Sequence, residues 1–423
     1  MKGPKFKDGG EPKQWWLTKE TILVRKGDQI RVVSFDLLSD ENRMEWIKKV
    51  MDMAEWLVNY YEWEKREGKR KSAHDETHML NVAKAAAEYV KYKKPRGHGR
   101  ILSLATLAGL THDLVRAPKE VNRELGTSDG YITAEVLRYL HDGKVKNPKL
   151  LETVKEIVEK NYKLGQLGKF LQKFEKKNIE IVARVIERNE GKVEDILREV
   201  EGLDNEMEKL VSLALMYADK GVEGIGPRVV YRRAAFVSGE RFFKGDLQNL
   251  KENLEKVLGK EVSEEEAMVA AFVFESFRRI FSSKSLDALP DDEMWKKVKE
   301  SRDFEMDVFK GLAGWLMDRW GVRDYEELLE IAKKAQYPVL HDKDYPKVKE
   351  QLKKVDEKRP QANEDAVHMV LAIAYGEFQP EKSIEHLKQV KDPRYSSLAK
   401  TSTPAAKEEL LREIKNNLVA KMM

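Results

Sequence analysis

Read for its alternation of apolar and polar positions, the chain divides early. Residues 21 to 36, TILVRKGDQIRVVSFD, carry β-branched runs on either side of Lys26-Gly27-Asp28, which predicts a short N-terminal β-hairpin. From about residue 41 onward apolar residues recur at helical spacing, broken by Gly/Pro-rich stretches at 95 to 99, 126 to 130 and 143 to 148. The expected fold is therefore mostly α. Ser263 followed by Glu266 fits a capping box, and Thr403-Pro404 fits an N-cap followed by proline in the first turn. Two segments differ from the rest in being apolar nearly all round, the mark of a helix covered on every side. They are ILSLATLAGL at 101 to 110, which runs into Thr111-His112-Asp113, and LVSLALMYA at 210 to 218, which runs into Asp219-Lys220. No repeat has a fixed period. Residues 164 to 206 read as a charged insertion, and a domain boundary is expected near Gly321. The expected division is an arm with the hairpin over 1–40, a main helical domain over 41–320, and a helical module over 321–423.

Composition narrows the chemistry. The 423 residues contain no cysteine, so disulfides, thiolate nucleophiles and Cys-based zinc sites are excluded, and any metal must be held by nitrogen and oxygen. Charged residues make up 36% of the chain, yet 78 basic and 74 acidic side chains leave a net charge of only +4. That balance predicts interleaved ion pairs of the kind enriched in proteins working at high temperature, and by itself it does not imply nucleic-acid binding. The basic, Gly/Pro-rich N-terminus lacks the apolar core of a secretory signal, and no apolar run is long enough to span a bilayer. A cytoplasmic protein without a membrane partner is expected.

Chemistry enters with the buried helix ends. An ionised carboxylate at the end of an apolar helix costs several kcal/mol to desolvate unless a positive charge compensates it. A lone aspartate there usually caps or salt-bridges a neighbouring helix. Here Asp113 and Asp219 both need an account, with His112 beside one of them. A further histidine, His78, heads the helix whose stripe is Met79, Val82, Ala83, Ala86 and Val90, with His74 four residues earlier as the competing candidate. One shared cation explains all of these together. Neighbours such as His112 and Asp113 point about 100° apart on a helix, so both reach one ion only beyond the helix end.

In this order the residues resemble the HD-domain phosphohydrolases, an all-α superfamily defined by a His, a His-Asp doublet and a distant Asp. His74-Asp75-Glu76-Thr77-His78 looks like the family's "HDWxH" helix start, with Glu76 where an aromatic is usual. Arg116 falls where many members have the Lys of "HDxGK". Ala218-Asp219-Lys220, with Gly224-Ile225-Gly226 and Tyr231-Arg232-Arg233-Ala234, is similar to the "ADKLxxIGxxGxxR" stretch of one subgroup, and Ser301 to Met306 resembles that subgroup's late helix. The resemblance spans roughly residues 70 to 315. It implies an HD helical bundle that hydrolyses a phosphate ester or anhydride, most simply a nucleotide, with water activated on one divalent ion. The implied ligands are His78, His112, Asp113 and Asp219, and Mn2+, Mg2+, Co2+ and Fe2+ all suit that set. Asp113 would also orient the water. Arg116 would act in catalysis, and Arg116, Lys220, Arg228, Arg232 and Lys119 would meet the substrate's charge. Asp129 and Asn161 stand where related proteins often place histidines for a second metal, which favours a one-metal site. A second His-Asp doublet, His141-Asp142, lacks these flanks and is read as incidental.

Two other readings compete. An HD-type nuclease acting on single-stranded nucleic acid would use the basic N-terminal arm with Trp15 and Trp16, and its binding would weaken steeply with salt. A non-catalytic HD scaffold would keep the metal as a staple and bind a partner through residues 322 to 423. That region holds helical stripes but no chemical motif, with His341, His368 and His386 dispersed through it, and is read as a packing or homo-oligomerisation module.

Overall fold

The computed structural model describes Trp15–Thr18, Thr21–Lys26 and Gln29–Val32, then residues 40–67, 74–93, 99–116, 119–237, 247–281, 289–336, 345–355, 359–376, 379–400 and 411–417. The protein is mostly helical, as the periodicity predicts. The three N-terminal strands pair antiparallel in chain order, and the expected hairpin is not supported as an established part of the fold. The side chains of Trp15 and Trp16, and the Thr403-Pro404 cap, lie outside the described residues. None of the described helices is long and apolar enough to cross a membrane.

The chain divides into two compact units, one of residues 1–63, 79–220 and 408–423, the other of 64–78 and 221–407. The first contains α1 (Asp40–Arg66) to Trp63, α2 (Glu76–Lys93) from Met79, α3 (Gly99–Thr111), α4 (Lys119–Leu125), α5 (Asp129–Asp142), α6 (Leu151–Lys160), α7 (Tyr162–Leu171), α8 (Lys176–Asn189), α9 (Val193–Glu201) and α10 (Glu206–Met216). As its sequence requires, α3 is buried along almost its whole length, and it packs against α8 and α10. Its approach to α2 is closer than any side chain allows: a Cβ on Gly109 would stand 2.6 Å from the Cα of Ala83. Helix α10 is likewise buried on most sides and begins at Asn205, whose side chain accepts the N–H groups of Met207 and Glu208.

Residues 164 to 206, read from their charge as an insertion, are largely helical and packed into this unit. Helix α8 is a central element that packs against α3, α5 and α10 and buries Ile179, Val182, Val185 and Ile186. Each such side chain contributes roughly 1.5 to 3 kcal/mol by leaving water. The charges that suggested an insertion are used in ion pairs. Arg138 on α5 meets Glu135, Glu180 and Glu187, while Arg184 and Arg188 on α8 converge on Glu208 of α10.

The second unit contains α11 (Pro227–Val237), α12 (Leu247–Leu258), α13 (Glu264–Ser276), α14 (Glu293–Glu300), α15 (Arg302–Trp320), α16 (Tyr325–Lys334), α17 (Tyr345–Leu352), α18 (Glu364–Tyr375), α19 (Pro380–Gln389) and α20 (Pro393–Ala399). Helix α13 opens with the expected capping box, both hydrogen bonds of Ser263 and Glu266 being present. The boundary expected near Gly321 is a helix end rather than a break in packing. Gly321 closes α15 with φ 72°, a left-handed cap that glycine adopts without strain, and one hydrophobic core runs from Val230 through Trp320, Val322 and Tyr325 to Leu398. Helix α18 packs against α11, α13, α15, α19 and α20, so residues beyond 321 are part of this unit's interior. The C-terminal end belongs to the other unit: residues 411–417 are helical, Ile414 is buried, and Lys84 of α2 pairs with Glu413 at 2.6 Å.

Candidate metal centre

The site in the first unit is built where α3 and α10 stop. Helix α3 ends at Thr111, and the turn that follows carries His112 and Asp113 beyond the last helical residue, as their joint access to one ion requires. The Nδ1–H of His112 donates to the carbonyl of Gly109 at 2.8 Å. That bond defines the tautomer and leaves Nε2 with its lone pair directed away from the helix. The same Gly109 thus sets both the depth of α3 against α2 and the orientation of the ring.

Helix α10 does not simply stop. It widens into a π-helical turn, Tyr217–Val222, a local change that re-aims side chains and recurs at functional sites. Asp219 lies on this turn, where its Oδ2 accepts Asn189 Nδ2 at 2.9 Å and stands 3.4 Å from Lys220 Nζ. Its Oδ1 is 3.8 Å from His112 Nε2, and Asp113 Oδ2 is 3.5 Å from the same nitrogen. Each of these oxygens, taken with the imidazole nitrogen, lies at a separation that two ligands standing roughly 2.0 to 2.2 Å from one cation can have. The donor types, an imidazole nitrogen and carboxylate oxygens, suit a divalent ion with mixed ligands, and His112 with Asp219 in one case and Asp113 in another belong to His/Asp groups that could hold one.

Charge around the cluster is arranged in pairs. Arg116 reaches Asp113 Oδ1 at 2.6 Å and Asp129 Oδ2 at 3.0 Å, and Asn122 donates to the other Asp129 oxygen at 2.9 Å. Glu190, which the sequence reading did not single out, accepts the Gly130 N–H at 2.9 Å. Burial pushes its carboxyl above the ordinary carboxylate range, with Lys220 opposing and Asp113 adding to the shift. No motif marks Glu190. Its only signal is position, at the end of a helix next to Asn189. Asn161 donates to the Tyr60 hydroxyl at 2.7 Å, a structural tie between α1 and the break before α7. Lys119 begins α4, and its side chain lies outside the described residues.

His78 belongs to the second unit, so the implied ligands divide three and one. It lies in the first turn of α2, where Asp75 Oδ1 accepts its N–H at 3.0 Å. Its Nδ1 stands 2.9 Å from Glu223 Oε2, with both side chains buried. Donation of that N–H to the carboxylate leaves Nε2 as the nitrogen His78 can offer. Burial opposes ionisation of Glu223, but Arg228 at 2.7 Å and His78 together hold its pKa down to about 2. Arg232 donates to the Glu223 carbonyl and lies 3.2 Å from His74 Nδ1. Arg228 and Arg232, expected to meet substrate, pair here with the groups behind the two histidines. Glu223 escaped the sequence reading because a lone glutamate after a π-helical turn carries no pattern. No family model matches the chain, and no curated protein and no solved structure is significantly similar to it.

Proposed function

We propose that the protein is a metal-dependent phosphohydrolase acting on a phosphate ester or anhydride, most simply a nucleotide. The observation that carries this reading is the approach of Asp113 Oδ2 and of Asp219 Oδ1 to His112 Nε2 at the ends of two buried helices, with the remaining atom of each side chain tied to Gly109, Arg116 or Asn189. Each is oriented by a partner of its own, as metal ligands commonly are, which supports coordination over capping. His78, the fourth ligand in the resemblance, offers Nε2 by the same logic. A divalent ion bound there supplies a Lewis acid and activates water near neutral pH. Mn2+, Mg2+, Co2+ and Fe2+ suit the donors. The chain's own residues do the rest. Asp113 orients the attacking water, while Arg116 beside Asp113 and Lys220 beside Asp219 draw in the phosphoryl oxygens.

The test is an assay of metal-stripped protein restored with each of these ions, against nucleotides, cyclic nucleotides and single-stranded oligonucleotides. Metal-dependent release of phosphate or pyrophosphate from nucleotides is expected. Cleavage of the oligonucleotides alone would make the protein a nuclease, and metal retention without turnover of any compound would make it a scaffold. Absence of both retention and turnover would remove the metal centre altogether.

A further inference from the structure

Outside the candidate metal centre, helices α1 and α7 of the first unit share a run of aromatic rings. Trp56, Tyr60 and Trp63 lie at i, i+4 and i+7 on one face of α1. The Tyr60 ring stacks on Trp56 with 5.2 Å between centroids and tilts against Trp63 at 6.0 Å. Helix α7 extends the run at both ends: Phe170 is 6.2 Å from Trp56, and Tyr162 meets Trp63 edge-on at 6.5 Å. Packing accounts for Tyr60, which is buried and whose hydroxyl accepts Asn161, but not for Tyr162, which is 67% exposed at the end of the run.

Charge on this surface is one-sided. From Asn161 to Phe174 the chain carries Lys163, Lys169 and Lys173 and no aspartate or glutamate. Lysines on either side are paired, Lys155 with Glu152 and Lys176 with Asp142, whereas these three have no carboxylate partner among the described residues. Two of them lie over rings, Lys163 Nζ 4.4 Å from the Trp63 centroid and Lys173 Nζ 5.2 Å from that of Phe170. Glu55 and Glu62, which precede the two tryptophans, point about 100° off the ring face, leaving Asp52, one turn before Trp56, as the acid on it. We infer that this surface binds single-stranded nucleic acid, with bases stacking on the rings and phosphates meeting the lysines. Every base has a π-face, and the strand's backbone supplies the repeated negative charge that unpaired lysines call for. A purely anionic partner would leave Tyr162 without a role, and a purely apolar one would leave the lysines unmatched. No residue of the candidate metal centre takes part, so binding is independent of the proposed hydrolysis.

The experiment is a fluorescence-anisotropy titration of short labelled RNA and DNA single strands with the full chain, in EDTA so that no strand is cleaved, over a range of salt. Single strands of either kind are expected to bind more tightly than a duplex of the same sequence. Tyr162→Ala is expected to weaken binding by about tenfold, the loss of one stacked base, and Tyr162→Phe to restore it. Replacing Lys163, Lys169 and Lys173 together by glutamine should make the plot of log affinity against log salt shallower by about 2, at roughly 0.7 per phosphate contact. Lys169→Gln with Lys173→Gln, both exposed, serves if the triple variant does not fold, with a change of about 1.4. An unmodified protein that binds no strand overturns the inference. So does binding that both sets of variants leave unchanged, which would place the strand elsewhere on the chain. Heparin displacing the strand while Tyr162→Ala keeps full affinity would reduce the surface to a patch for any polyanion and overturn it as well. Each of these results leaves the hydrolysis proposal untouched.

Discussion

The first unit contains the dipeptide His-Asp twice, and the two copies have different structural fates. His112-Asp113 follows a helix buried along almost its whole length, its ring held through Nδ1 by the Gly109 carbonyl and its Nε2 turned toward Asp219. His141-Asp142 ends an amphipathic helix. There His141 Nε2 stands 3.0 Å from the carbonyl of Phe174, and Asp142 pairs with Lys176 at 2.7 Å on an open surface. The residues are identical, so the difference lies in what surrounds them. The first doublet is buried, where an ionised carboxylate is costly to desolvate, whereas the second is solvated and paired at the surface.

The comparison is broken most severely by removing the rings. His112→Ala is expected to abolish metal retention and lower turnover by on the order of 10³-fold or more, because it takes a donor from the centre. His141→Ala should retain metal and turnover and cost only about 1 kcal/mol of stability, the worth of one hydrogen bond. Metal content and steady-state kinetics of the two variants decide it; an inactive His141→Ala with an active His112→Ala would reverse the assignment.

The glycines beside the doublets sharpen the contrast. Gly109→Ala drives a Cβ to 2.6 Å from the Ala83 Cα, a backbone contact that cannot yield, so a loss of about 1 to 3 kcal/mol and weakened metal binding are expected together. Gly143→Ala meets no atom within 4 Å and suffers only from its φ of 74°, at a cost of roughly 1 to 2 kcal/mol with metal binding unchanged. Denaturant unfolding and a metal titration on each variant separate the outcomes.

The smallest effect is one of pH. The Lys176 ammonium and its hydrogen bond hold Asp142 below its ordinary 3.8. A carboxylate depressed in the folded state stabilises it above the unfolded value, and that contribution fades as pH falls below about 3.8 toward the folded pKa. Asp142→Asn should therefore lose a little stability at neutral pH and almost none at pH 2.5, slightly flattening the acid limb of the stability curve, which melts between pH 2.5 and 7 will show.

Much of this was legible from sequence, for local reasons. Apolar spacing announced the helices, all-round apolarity announced that α3 and α10 are interior, and Ser263 with Glu266 announced a cap, because each of these is a property of residues within a few positions of one another. The buried ends of those two helices in turn pointed to His112, Asp113 and Asp219. The misreadings were of another kind. The charge of residues 164 to 206 hid a buried stripe whose ion pairs lie with α5 and α10, and Gly321 looked like a boundary because a helix end and a domain end carry the same glycine.

Sequence alone determined that this chain is helical, that it holds no thiol chemistry, and that ionisable groups stand at the ends of its most apolar helices. Tertiary structure decided that Gly109 orients His112, that Glu223 backs His78, that Arg116 is shared between Asp113 and Asp129, and that the core of the second unit runs past Gly321. The division follows from range. Periodicity and caps are written into neighbouring residues, whereas the partner of a buried polar atom is chosen by the packing of segments far apart along the chain.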